Sequence, residues 1–373
     1  MFLICQLIYQ FEKMAVNTVL ERDPMRVEKI REIDEEIELS VRASEPEIEH
    51  AFTVGLDCFV DERGLSGNPG NTAREKICYG LDPDQARDTI SSAVVGFLIP
   101  FALDNADIVP MNAPQANCQA DPVQGEAFEF TVTVMPKPEF ELTDYSPVEV
   151  AVPAMTEVTE ADIDQQVAML AHQFATVRID EEGEEVYDIP EVTDEWVKNS
   201  LYMMDVNTVE ELRESFREQS RQAKLDQFEQ TKMAACLEAY SERFEGEISD
   251  KLIKCMADDL FAAFSQQLAA QGTNMIEFCL QNRTDEKAVR ASLANQSEMQ
   301  LRQGFILDAL FRHEGMKLEI ADLKTAIHNM APGNEEEVFE KLHSTGRTFM
   351  LKETASRTKA LMWMLQNSKI KVL

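Results

Sequence analysis

Gly125–Pro153 is GEAFEFTVTVMPKPEFELTDYSPVEVAVP, and Val158–Val177 continues as VTEADIDQQVAMLAHQFATV. In the first stretch Phe128, Phe130, Val132 and Val134 alternate with Glu129, Thr131 and Thr133, the period of a strand with one buried face. Pro136 and Pro138 stop it, because proline cannot donate to a strand ladder. In the second stretch Thr159 and Asp162 have near capping-box spacing, and Ile163, Val167, Leu170 and Phe174 recur on one helical face. An acidic run, RIDEEGEEVYDIPEV, comes next and predicts a connector. VTDEWVKNSLYMMDVNTVEELRESFREQ then predicts a short helix, a break near Asp205 and the start of a very long helix.

Outward from this junction, Met25–Ser44 reads as two strands, and Ser44-Glu45-Pro46-Glu47 as the capped start of a helix running to about Glu62. GLSGNPGN breaks the chain, Asn71 is positioned to cap a short helix, and Asp82-Pro83 starts a longer one that Pro100 should kink or end. Together with the strand at Phe128 this is an α+β N-terminal domain. From Thr193 onward helices dominate: Val209, Leu212, Phe216, Leu225, Phe228, Leu237 and Tyr240 trace one of about 33 residues, roughly 50 Å at the α-helical rise. Further helices start at Ser249, Met275 and Thr284, and others lie near 323–329, 335–343 and 345–366. Helices this long should pair as antiparallel hairpins. The fold class is therefore an α+β N-terminal domain followed by an all-α, long-helix body.

The 373 residues carry 68 acidic and 35 basic side chains, a net charge of −33, which excludes a molecule-wide basic footprint for DNA or other nucleic acid. Seven scattered cysteines with no C-x-x-C pair argue against a disulfide framework or zinc site and predict buried, reduced thiols in a cytoplasmic protein. MFLICQLIYQFEK has no basic flank and is too short for a membrane span, so no membrane attachment is expected. The five histidines show no metal spacing: His313-Glu314 begins like H-E-x-x-H, but Lys317 occupies the second histidine position. No catalytic residue, metal site or cofactor motif is visible.

These segments resemble bacterial trigger factor, the chaperone that meets nascent chains at the ribosomal exit tunnel, from about Met25 to the C-terminus. The resemblance implies an N-terminal ribosome-binding-type domain over 25–153, a helix and acidic connector over 154–190, and a helical chaperone domain with two arms over 191–373. Residues 1–24 would be an extension, with Met14 and Met25 as alternative starts. The family's FKBP-like prolyl isomerase domain normally lies in the middle. Here Val177–Pro190 supplies fourteen residues with Tyr187 as the one aromatic, too little for a core, so a form without the isomerase is expected.

The resemblance also implies clients, namely unfolded or nascent polypeptides, and a ribosome-docking loop. The family loop has the pattern Gly-Phe-Arg-x-Gly-Lys-x-Pro. Here its counterpart is Arg63, Gly64, Leu65, Ser66, Gly67, Asn68 and Pro69, which is shorter, replaces the aromatic with Leu65 and lacks both internal basic residues. Weakened docking follows. With 18 methionines and 20 phenylalanines available, the client-binding candidates are Phe261, Phe264, Met275 and Phe278, then Phe349, Met350, Met362, Trp363 and Met364. The alternative is a dedicated scaffold or secretion chaperone that binds one partner.

Overall fold

The structure is a computed structural model that describes residues 25–179 and 185–373. In chain order its elements are β1 (Arg26–Ile33), β2 (Glu36–Ala43), α1 (Glu45–His50), a π-helical turn (Ala51–Gly55), α2 (Leu56–Glu62), α3 (Ala73–Cys78), α4 (Pro83–Asn105), β3 (Gln115–Asn117), β4 (Phe128–Val134), β5 (Glu141–Leu142) and β6 (Glu149–Val152). There follow α5 (Glu160–Gln173), β7 (Thr176–Ile179), β8 (Glu185–Asp188), α6 (Asp194–Ser200), α7 (Val209–Ser241), β9 (Phe244–Glu245), α8 (Asp250–Ala270), α9 (Met275–Asn282) and α10 (Glu286–His313). α11 (Ile320–Met330), α12 (Glu335–Ser344), α13 (Thr348–Asn367) and β10 (Lys369–Val372) complete the chain. The expectations for residues 1–24 fall outside the described residues.

Contacts divide the chain into two discontinuous units. One takes the residues up to Tyr145 together with Arg243–Trp363; the other takes Ser146–Glu242 with Met364–Leu373.

The first unit opens with an antiparallel sheet in the order β1-β2-β4-β3. The alternation predicted for β4 holds: Phe128, Phe130, Val132 and Val134 are buried while Glu129 is exposed. They meet Leu39 and Val41 of β2 and the buried side of α4. α4 is long and apolar enough to satisfy the length and composition of a membrane span, yet Val94, Phe97, Leu98, Ala102 and Leu103 are buried in this core. Pro100 does not end the helix, which continues to Asn105. The proline leaves the Gly96 carbonyl without its i+4 donor, and burial on both sides of the gap sustains the helix. The cap of α3 is Thr72 rather than Asn71: Thr72 accepts from the Glu75 N–H and Glu75 accepts from the Thr72 N–H, a reciprocal capping box.

In the same unit α8 and α10 pack along each other, and α9 closes the hairpin. Ile248, Leu252, Leu301 and Phe305 form the base of this hairpin around Met135 and Phe140. Ala326, Ile327, Phe339, Leu342, Leu351 and Ala355 make a third core from α11, α12 and the start of α13. A buried ionic group ties helices together: Arg357 Nε and Nη2 donate to Asp308 at 3.1 and 2.9 Å, and Lys137 approaches Asp308 and Glu353 at 3.2 and 3.3 Å.

The second unit is built on α7, whose 33 residues match the length predicted from its apolar face. Thr208 caps it, accepting from the Glu211 N–H. Leu212, Val197, Leu201 and Val206 form a small core with Leu170 and Trp196. Arg213 joins α7 to α5 through Glu160 and Asp164, each at 2.7 Å. β10 returns to pair in parallel with β6. The predicted acidic connector holds regular structure: Thr176–Ile179 and Glu185–Asp188 pair as an antiparallel ribbon.

The thiols are less buried than expected. Cys236 is fully buried, whereas Cys58, Cys78, Cys118, Cys255 and Cys279 are half-buried and free.

Candidate functional site

The Arg63–Pro69 loop leaves the end of α2 through Gly64, whose φ of +65° lies in the left-handed region that glycine enters without strain. Leu65–Gly67 then makes a single 3-10 turn. Leu65 turns inward and packs half-buried against the N-terminal core, so its side chain serves the fold. Asn68 is also committed, its amide donating to the Lys76 carbonyl at 2.9 Å. Ser66 is exposed and donates to Asp61 at 3.1 Å. Gly70 is required where it stands: its φ is +142°, and a Cβ there would lie 2.6 Å from Glu75 Cβ.

The charge around this loop is mixed. Asp57, Asp61, Glu62 and Glu75 neighbour the loop in sequence together with Arg63, Arg74 and Lys76, and Arg347 is taken up by Glu62 at 3.2 Å. Arg63 lies over the Phe59 ring, 5.5 Å from its centroid. Cys58, one turn before the loop, reports the same environment: burial first, then Glu62, Asp61 and Asp57, push its thiol pKa up.

Of the four residues predicted on the α8–α9 segment to bind clients, Phe264 and Phe278 are brought into contact near the closed end of the α8–α10 hairpin. Phe264 and Phe278 meet edge to face at 5.0 Å, and the Arg290 guanidinium covers Phe261 at 3.5 Å from the ring centroid. Met275, at the start of α9, is half-buried. These rings therefore hold the hairpin tip together, with part of each left open. The most exposed apolar residues of the tip are Ile276 and Leu280, at 73% and 75% exposure. They stand one helical turn apart on the outer face of α9. The methionine and phenylalanine content gave no weight to them; the i, i+4 spacing across Ile276 and Leu280 was the available signal.

The second predicted cluster is dispersed along α13. Met350 and Met362 are exposed, Phe349 and Trp363 half-buried, and Met364 fully buried, so Met364 presents no surface to a partner. Leu351, Ala355, Ala360 and Met364 place one side of this helix in packed interior. Among the described residues no group of three or more His, Cys, Asp or Glu side chains is arranged to hold a metal ion.

Two platforms are thus present, an α+β domain that exposes a glycine-shaped loop and a helical hairpin with an aliphatic tip. The bacterial trigger factor N-terminal domain model matches residues 25–170, and the trigger factor C-terminus model matches residues 208–366. The chain belongs to the trigger factor family. The residues between the two matched segments contain the β7–β8 ribbon.

The trigger factor of Lysinibacillus sphaericus (strain C3-41) is 21% identical over 352 aligned residues, 72% of this chain and 81% of that protein. That of Shouchella clausii (strain KSM-K16) is 22% identical, covering 79% and 88% respectively. The match to Geobacillus sp. (strain WCH70) trigger factor, 24% identical, covers 49% of this chain and 42% of that one. A solved structure of the trigger factor chaperone, described for promiscuous substrate recognition in folding and assembly, aligns over 92% of this chain and 99% of its own. Its identity is 16% and its TM-score 0.38, so the family assignment stands on the sequence models alone.

Proposed function

We propose that this protein is a cytoplasmic, ATP-independent holdase for nascent or unfolded polypeptides, without prolyl isomerase activity. The observation that carries the reading is the α9 face, where Ile276 and Leu280 stand almost fully in solvent at the end of a hairpin whose aromatic residues are already packed. Aliphatic side chains held out on a supported helix can take varied apolar segments, and weak individual contacts allow release without fuel. The flexible, half-open Met275 and the remaining faces of Phe261, Phe264 and Phe278 enlarge that surface. On α13, Met350 and Met362 offer further soft contacts, with Phe349 and Trp363 contributing only their open edges.

Docking to the ribosome belongs to the same reading and is weaker than the family pattern implies. Leu65 and Asn68 are engaged internally, and Arg63 and Arg74 are the cations that flank the loop. A chain of net charge −33 gains little else against phosphate.

The test is light scattering of a chemically unfolded client diluted into buffer with and without the full chain and no nucleotide. Suppression near equimolar chaperone supports the reading. Aggregation that proceeds unchanged contradicts it.

A further inference from the structure

Helix α9 ends on a residue that its backbone does not favour. Among the described residues four other than glycine have positive φ, and three of them, Asp34, Asp107 and Asp205, are aspartates, whose short polar side chain tolerates the left-handed region. The fourth is Arg283, at φ +52° and ψ +43° in the C-cap of α9. Glycine or asparagine is the usual choice at such a helix end, because a Cβ there crowds the backbone. Arginine therefore holds this position at a cost in stability, and its side chain returns nothing to the fold. The guanidinium is exposed and makes no hydrogen bond, ion pair or ring contact among the described residues. A backbone outlier of this kind points to function.

Arg283 stands where the open aliphatic face ends. Its backbone N–H donates to the Leu280 carbonyl at 3.4 Å, and Ile276 and Leu280 are 73% and 75% exposed. The carboxylates of the tip are already engaged: Glu277 accepts from the Thr273 hydroxyl at 2.9 Å, Asp285 accepts from the Ala288 N–H at 2.7 Å, and Glu286 is held by Arg290 at 2.8 Å. Lys287, in the first turn of α10, is exposed and likewise has no partner among the described residues. The charge of −33 carried by the whole chain is largely screened beyond about 8 Å, so these neighbours set the field at the tip.

We propose that Arg283 gives the α9 face a preference for apolar segments that carry a carboxylate. Ile276 and Leu280 are about 6 Å apart along the helix, close to the spacing of two residues on one side of an extended chain. A client with apolar residues at i and i+2 covers the pair, and an aspartate or glutamate at i+4 then comes within reach of the guanidinium. The inference rests on the chaperone reading of this same face and names the client class that it favours.

The experiment is fluorescence anisotropy of the full chain with a labelled peptide in which leucines at i and i+2 and a glutamate at i+4 alternate with serine, compared with the same peptide carrying lysine in place of glutamate. The glutamate peptide should bind about fivefold tighter, and the difference should shrink as salt rises. Arg283→Glu should reverse the preference. Arg283→Gly should abolish it without lowering the urea midpoint of unfolding, because glycine suits the left-handed cap. Equal affinity for the two peptides, no response to Arg283→Glu, or a lower midpoint in Arg283→Gly overturns the inference, the last by showing that the arginine serves the fold. So does a failure to bind either peptide in a chain that holds a reduced and alkylated protein. If both peptides bind equally and Ile276→Ser/Leu280→Ser weakens both, the charge preference alone is refuted. If that double substitution leaves both peptide binding and aggregation suppression untouched, the chaperone reading of the hairpin tip falls with it.

Discussion

Arg357 fills the space that a side chain at residue 304 would need: a Cβ on Gly304 would lie 2.9 Å from the Arg357 guanidinium carbon. The same guanidinium chelates Asp308 one helical turn further along α10. Gly304→Ala should therefore cost about 1–3 kcal/mol, because the arginine has to leave its carboxylate to make room. Arg357→Leu should cost about 3 kcal/mol, since Asp308 is buried and keeps only Lys137. Urea unfolding of the two variants checks both values, and a neutral Gly304→Ala would show that the pair is not fixed.

Glu335 provides a pH dependence with a definite sign. Its carboxylate lies 2.6 Å from His328 Nδ1 and accepts from the Gly333 N–H at 3.1 Å, with the histidine contact the larger cause, and its pKa is lowered to about 2. A carboxylate depressed in the folded state stabilises above its unfolded pKa, and that contribution is lost as pH falls through the folded value. The Glu335 contribution should be complete above about pH 5 and fade towards pH 2. Glu335→Gln should flatten stability against pH in that window by lowering stability at neutral pH, and leave stability near pH 2 nearly unchanged.

Thiol reactivity should rank by burial. Burial is the largest cause raising the pKa of both Cys236 and Cys58, and carboxylates add to it at Cys58. Alkylation near pH 8 should therefore label Cys255 and Cys279 first, Cys58 more slowly, and Cys236 only with denaturant. Mass spectrometry of a labelling time course measures the order, and early modification of Cys236 would contradict the packing around α7.

At the loop, Ser66→Arg is the informative change because Ser66 is exposed, whereas Asn68 holds the Lys76 carbonyl. The added charge should strengthen sedimentation with ribosomes and steepen its salt dependence by about one counterion. Tight native binding that ignores salt, together with no response to Ser66→Arg, would remove the loop from docking. The isolated chain should also leave prolyl isomerisation of a tetrapeptide at its uncatalysed tens to hundreds of seconds.

Much of the fold was legible because its signals are local. The period-2 run of β4, the caps at Ser44, Thr159 and Ser249, and the apolar face of α7 each predict an element from a few adjacent residues. What escaped depends on neighbours distant in sequence. Pro100 predicts a kink or an end, and the surrounding burial carries α4 past it, which rules out the end. The acidic run predicts a connector, yet Val177 and Tyr187 pair across it. At the hairpin tip, periodicity places Phe278 and Leu280 on different sides of α9 without saying which side is covered. Contact with Phe264 decides that, leaving Leu280 outside.

The most direct test of the account is the affinity of the full chain for a permanently unfolded polypeptide, a reduced and alkylated protein, before and after Ile276→Ser/Leu280→Ser. Both positions are exposed, so the variant should retain wild-type stability within about 0.5 kcal/mol. The account predicts about tenfold or greater weakening of client binding, with a parallel loss of aggregation suppression. Unchanged affinity in a variant of unchanged stability would show that the hairpin tip does not hold clients.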